Sequence, residues 1–240
     1  MSYAYLDDNV ARMNDTVEAA CREAGRTADS VLTVAAIKST TVEEIAYLCE
    51  HHGLRAVGEN RVQQLLERYE ALRDMGVEIH FIGTLQTNKV KYIVDKVSMI
   101  QSLDSEKLAA EIQKQATKQN RTVRVLIEIN SGNEESKSGV LPEEAEALAL
   151  ALAKYDRLQL CGFMTMAPKG DEASYRRCFG QTRELCRRIW RDTLGRDDHM
   201  ELSMGMSESY GWAVSEGATI IRPGRVLFAR PDGSPQHQNQ

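Results

Sequence analysis

The chain has 240 residues, 42% of them hydrophobic and 27% charged, with a formal net charge of -5. That is the composition of a globular protein able to bury a full core, and it offers no basic surface for nucleic acid or an anionic membrane. No apolar run approaches the roughly 20 residues that span a bilayer, and residues 1–12 carry acids where a secretory signal would be apolar. The length suits one large barrel or two small domains. The five cysteines, Cys21, Cys49, Cys161, Cys178 and Cys186, show no paired spacing. They point to reduced thiols in a cytoplasmic protein and to no zinc site.

Val10, Met13, Val17, Ala20 and Cys21 predict a helix over residues 7–24, stopped by Gly25. Residues 31–37 are apolar and β-branched, the composition of a buried parallel strand, and run into Lys38, Ser39 and Thr40. Thr41-Val-Glu-Glu is a capping box for a helix to His52, with Gly53 as its C-cap. A short strand at 54–57 leads into Gly58-Glu-Asn60, and a helix over 61–74 follows. The third strand, 78–82, opens into the stretch from Gly83 to Lys89 and a helix around 90–94. The fourth is placed at 97–100, and Asp104 or Ser105 caps a helix to 119. The fifth, 123–129, is the least ambiguous and is followed by a polar loop over 130–139. Pro142 sits in the first turn of a helix to about 154. The sixth strand is 158–164, a long amphipathic helix covers 174–190, and the seventh strand is 200–203, with a helix to 216. The eighth is 218–221. The polar tail, 231–240, is expected to be disordered.

Eight strands alternating with helices predict a single α/β domain over residues 1–230, a parallel (β/α)₈ TIM barrel. A doubly wound open sheet is the competitor, but the first strand-to-helix turn lacks a dinucleotide-binding glycine fingerprint. The helix before the first strand is an extra, expected to cover one end of the barrel.

The unusual polar residues follow strands: Lys38, Asn60, the run Gln86–Lys89, Lys137, Ser207 and Arg222. In a barrel these positions share the C-terminal face, where such folds keep their active sites. A lysine at a strand's end, desolvated by apolar walls, exposes a neutral amine that can form a Schiff base with an aldehyde. The competing reading is a lysine that snorkels into solvent. After the last two strands, Gly205-Met-Ser207 and Gly224 offer flexible backbone, N–H groups and a hydroxyl, and Arg222 or Arg225 adds charge: a phosphate cradle, or else two tight turns. An amine at one end and a phosphate cradle at the other imply a phosphorylated aldehyde, and pyridoxal phosphate fits. Asn60 either meets the cofactor's phenolic oxygen or caps the next helix. Lys89 and Lys137 are rival amines. His80 reads as structural, Met164 and Met166 as core, and Tyr210 as a packing residue at a helix start.

The stretches Val34-Ala-Ala-Ile-Lys-Ser, Gly58-Glu-Asn, His80-Phe-Ile-Gly-Thr-Leu-Gln-Thr-Asn-Lys, Ser136-Lys-Ser-Gly, Met164-Thr-Met-Ala and Leu202-Ser-Met-Gly-Met-Ser occur in that order. Together they resemble the pyridoxal phosphate homeostasis protein family, single-domain relatives of the alanine racemase N-terminal barrel, over roughly residues 31–229. The resemblance implies pyridoxal 5'-phosphate held covalently as an aldimine on Lys38, with Ser207, Arg222 and Gly224 at its phosphate end. It implies a carrier or buffer that contributes to vitamin B6 and amino-acid homeostasis, without established catalytic turnover. Apo-enzymes that use the cofactor are the expected recipients, and a monomer is expected. The chain departs from the family pattern at Ser209, where an acid is usual, and at Arg222-Pro-Gly-Arg225, where Pro223 removes an N–H and Arg225 a hydroxyl.

The rival functions are a racemase or decarboxylase of the same fold, and a lysine-dependent aldolase. Racemisation needs an acid/base on each face of the cofactor. In the racemases a further β-domain supplies the second one. The chain ends about ten residues after the eighth unit, so that domain is expected to be missing.

Overall fold

Period-two alternation along the strands places one set of side chains inside a barrel and the other against a ring of helices. The computed structural model of the chain describes residues 3–134 and 138–231. Its strands are β1 (Leu32–Ala36), β2 (Ala56–Glu59), β3 (Glu78–Phe81), β4 (Met99–Leu103), β5 (Val123–Ile129), β6 (Leu158–Thr165), β7 (Glu201–Ser203) and β8 (Ile220–Ile221). They pair in parallel in sequence order, and β8 returns to β1 through Leu32–Ile220 and Thr33–Ile221. This is the expected closed (β/α)₈ barrel.

The helices are α1 (Ala4–Glu23), α2 (Val42–His52), α3 (Val62–Asp74), α4 (Val90–Ile93), α5 (Glu106–Lys118), α6 (Ala145–Ala151), α7 (Glu172–Arg188), α8 (Tyr210–Ser215) and α9 (Arg225–Phe228). The capping box of α2 forms as read: Thr41 Oγ1 accepts from Glu44 N at 3.2 Å, and Glu44 Oε2 accepts from Thr41 N at 2.8 Å. Gly53 closes the helix in the left-handed region at φ 61°.

Inside the barrel Val34, Ala56, Met99, Leu126, Met164 and Ile220 form a cluster of their own. Their strand neighbours Val57, Ile100, Val125, Ile127, Phe163 and Ile221 join the larger cluster beneath the helices. Two residues beyond Met99, Leu126 and Ile220 the inward positions turn polar: Gln101, Glu128 and Arg222, all buried. The apolar plug therefore ends one layer below the C-terminal mouth, and a polar layer floors the mouth.

Two expectations change, and one element is new. The first helix does not cover an end of the barrel. α1 packs against α2 on one side and α8 and α9 on the other, taking the place in the ring that follows β8. Asn9 Nδ2 fixes it there with bonds to Leu227 O at 2.8 Å and Ala229 O at 2.9 Å. The fourth strand is Met99–Leu103, displaced toward Gln101 and Ser102: both are buried, and Gln101 is satisfied inside the barrel by Ser203 and His80. The one-turn helix α9 is too short to leave a sequence signal. No described helix is long and apolar enough to cross a membrane. All five cysteines are free, and the described residues hold no cluster of metal ligands.

Candidate functional site

Lys38 lies two residues past β1, in a turn. The backbone before it is tightly held. Ile37 N donates to Gly58 O at 3.0 Å, and Ile37 O accepts from Thr40 Oγ1 at 3.0 Å and Arg68 Nη1 at 2.7 Å. Arg68, on α3, also faces the Glu59 carboxylate, Nη1 to Oε2 at 3.6 Å, with both side chains buried. Glu59 Oε1 in turn accepts from Asn60 N at 2.7 Å and Arg61 N at 3.2 Å. One buried arginine thus ties the residue before Lys38 to the residue before Asn60. Burial pushes the Glu59 carboxyl above its ordinary range, outweighing the backbone amides and Arg68.

The Lys38 side chain is exposed, so the desolvation expected of its strand-end position is absent. The strand ends at Ala36, and the turn carries the lysine out over the mouth. Its amine has no hydrogen-bond or ion-pair partner among the described residues. For Asn60 the capping alternative falls: the N-cap of α3 is Arg61, and no side chain caps it. The Asn60 amide likewise has no partner among the described residues. Lys89 is exposed in a 3₁₀ turn, Thr87–Lys89. Lys137 lies outside the described residues.

The opposite rim is built by the ends of β7 and β8. Gly205, at φ 92°, turns the chain where a Cβ would come within 2.5 Å of Ala213 Cβ. Beyond it Ser207 Oγ accepts from Gly224 N at 3.1 Å and Val226 N at 3.3 Å. Two backbone amides thus converge on one hydroxyl, groups of the kind that bind an anion oxygen. Gly224 packs against the end of β1; a Cβ on it would lie 3.1 Å from Ala36 O. Ala36 N donates to Pro223 O at 2.8 Å, so Pro223 contributes its carbonyl to the ladder. The β8–β1 seam therefore joins this cradle to the segment that carries Lys38. The departure at Ser209 is filled locally, where its Oγ accepts from Met206 N at 3.3 Å.

Neither arginine adds its side chain to the Ser207–Gly224 cradle by a described contact. Arg225 Nη2 donates to Glu208 Oε1 at 2.5 Å on the surface. Arg222 turns into the barrel, where its buried guanidinium donates to Ser203 Oγ at 2.5 Å and Thr165 O at 2.8 Å. From there one directed chain crosses the floor. Ser203 Oγ donates to Gln101 Oε1 at 2.6 Å, and Gln101 Nε2 stands 2.7 Å from His80 Nδ1. An amide donor at Nδ1 leaves the proton on His80 Nε2, 3.4 Å from Glu78 Oε2. A cation donates at one end and a carboxylate accepts at the other. His80 is buried, and both its ring nitrogens face partners within the chain. Glu128 faces the same guanidinium. Burial pushes its carboxyl up to about 6, against a bond from Ser138 and the charge of Arg222. Burial also draws the Arg222 guanidinium down to about 10.

The reading of the sequence passed over Arg68, Gln101, Glu128 and Ser203. Gln101 and Glu128 do leave a signal: polar residues two places beyond apolar ones in β strands, at inward-facing parity. Glu59 stands in the Gly58-Glu-Asn motif, but its bond to the backbone could not be read from it. Met164 is core and Tyr210 is buried, both as expected.

Residues 9–231 match the family model for the alanine racemase N-terminal domain. A pyridoxal phosphate homeostasis protein of Aquifex aeolicus is 43% identical over 227 residues, covering 92% of this chain and 96% of that protein. A solved structure of an unknown protein from Bifidobacterium adolescentis superposes with a TM-score of 0.86 at 34% identity, covering 95% of this chain and 97% of that one. PipY of Synechococcus elongatus PCC7942, solved with pyridoxal phosphate bound, superposes with a TM-score of 0.75 at 30% identity, covering 83% of this chain and 93% of that one. With that identity sustained over nearly the full length, the chain belongs to the pyridoxal phosphate homeostasis protein family.

Proposed function

We propose that the chain binds pyridoxal 5'-phosphate at the barrel mouth and carries or buffers it, without turnover of its own. The observation that carries this reading is the β8–β1 seam, which sets the Ser207–Gly224–Val226 donor cradle beside the segment that ends in the Lys38 amine, unpartnered among the described residues. When bound, the cofactor supplies an aldehyde that condenses reversibly with amines. Lys38 is the amine that holds it covalently, as a Schiff base. Ser207 Oγ and the amides of Gly224 and Val226 take the phosphate. Arg222 contributes positive charge from the floor, and Arg225 contributes it at the rim. Asn60 orients the ring through its side-chain amide. The bound form of PipY supports the ligand, and the names of the relatives support the homeostatic role.

The protein acts in the cytoplasm as a monomer, and apo-enzymes that need the cofactor are its recipients. The exposed position of Lys38 suits release, since no wall of the barrel closes over the amine. Mixing the loaded protein with an apo-enzyme and following that enzyme's activity tests transfer. Deuterium wash-in at the α-carbon of free amino acids tests turnover. Exchange on the order of 1 s⁻¹, lost in Lys38→Ala, would replace the carrier with an enzyme.

A further inference from the structure

The face of the barrel opposite the mouth carries a second concave site. A cavity of about 400 Å³ lies between the end of α7, the segment leading into β7, and the loops before β1 and β8. Arg26, Arg183, Arg187 and Arg191 line it, and Leu202, within β7, and Thr219, just before β8, form part of its wall. The cradle residues stand at the other ends of these same strands, so the two sites are separated by the barrel.

Two of the four arginines, Arg26 and Arg191, have no carboxylate partner among the described residues. Arg26 donates to Ser30 Oγ at 2.8 Å, Ser30 O at 3.0 Å and Ala218 O at 2.7 Å, which are neutral acceptors. No carboxylate pairs with it among the described residues. The carboxylate beside Arg187 belongs to Glu184, 3.8 Å away, and both are exposed. Arg191 has no ion-pair partner among the described residues. Arg183 is matched more closely, by the same Glu184 at 3.0 Å and by Glu216 at 3.4 Å. Two acids also line the cavity, but Asp198 is held by Arg196 through bonds of 2.9 Å and 2.6 Å, leaving Asp197.

A helix C-terminus favours cations in its last turn, which accounts for Arg187. It does not account for Arg183, a turn earlier on the same face, where like charges four residues apart oppose the helix. Nor does it account for Arg26, which reaches the cavity from a different element. The end of α7 is itself irregular. Residues Ile189–Thr193 form a π-helical turn, a rare geometry that concentrates at functional sites, and it brings Trp190 and Arg191 to the cavity wall. Guanidinium forks match phosphate oxygens two at a time.

We propose that this cavity binds a small phosphate-bearing polyanion, at a site distinct from the barrel mouth. Inorganic pyrophosphate and a nucleoside diphosphate share that chemistry. The test is calorimetric titration of the pyridoxal phosphate-loaded protein with pyrophosphate, ADP and citrate, with the mouth already filled. Saturable binding of pyrophosphate or ADP, weakened by salt and stronger than that of citrate, is expected. ADP binding without pyrophosphate binding would assign the nucleotide, and binding of both would assign the diphosphate group. The double variant Arg187→Ala/Arg191→Ala, both exposed and free of core packing, should lose affinity by about tenfold or more with its cofactor absorbance and melting temperature unchanged. Failure of both phosphates to bind, equal binding of citrate, or undiminished binding by the double variant would overturn the proposal. A chain that fails to hold pyridoxal phosphate would still give these readings on the cavity.

Discussion

Arg222 Nη1 donates to Ser203 Oγ at 2.5 Å, out of solvent, and the serine passes the bond on to Gln101 Oε1 at 2.6 Å. Ser203 is thus both acceptor and donor in the floor of the mouth. Ser203→Ala strands a guanidinium N–H and an amide carbonyl, each buried. Unsatisfied buried groups cost about 1–3 kcal/mol apiece, so the variant should lose about 2–6 kcal/mol of stability. Urea unfolding measures this directly. A loss within about 0.5 kcal/mol would mean that the floor network is not a structural element.

The Glu128 carboxyl titrates at about 6 in the fold, above its ordinary 4.5, because burial disfavours its charge. The folded chain therefore binds this proton more tightly than the unfolded chain. The stability from this group is full below pH 4.5 and is lost as pH rises through 6. Glu128→Gln removes the titration. The stability of the variant relative to wild type should rise by about 2 kcal/mol from below pH 4.5 to about pH 7. Denaturant melts across that range test the sign; a difference that is flat or falls with pH contradicts it.

At the cradle, Ser207→Ala removes one neutral partner and leaves the amides of Gly224 and Val226 in place. Cofactor affinity should weaken by the worth of one such bond, about 0.5–1.5 kcal/mol. Arg222→Ala should weaken it more, through the loss of a buried charge beneath the site and of the network it anchors. Titration of the apo-protein with pyridoxal phosphate ranks the two. No change in either variant would place the phosphate elsewhere.

Much of the architecture was legible because barrels write themselves as alternating periods. All eight strands and the order of their loops followed from hydrophobic runs, and the capping box at Thr41 located α2 to the residue. Strand ends were less legible. The ladder register, not hydropathy, decides where β4 stops, and Gln101 reads as loop until its bonds to Ser203 and His80 are seen. At the site, the residues that present backbone were found, because glycine beside serine after a strand is a local pattern. Arg222 was found as a charge, but its direction was not. Whether a strand-end arginine points up at a ligand or down into the barrel depends on Ser203 and Thr165, which are distant in sequence. The same limit hid Arg68, whose two partners, Ile37 and Glu59, lie at the ends of different strands.

Lys38 is the proposed amine that holds the cofactor. The loaded protein, reduced with borohydride and digested, should yield a single pyridoxyl-labelled peptide modified at Lys38. Lys38→Ala should show no Schiff-base absorbance yet melt close to wild type, because the side chain is exposed and packs against no core. A label on Lys89 or Lys137, or an undiminished absorbance band in Lys38→Ala, would contradict that assignment.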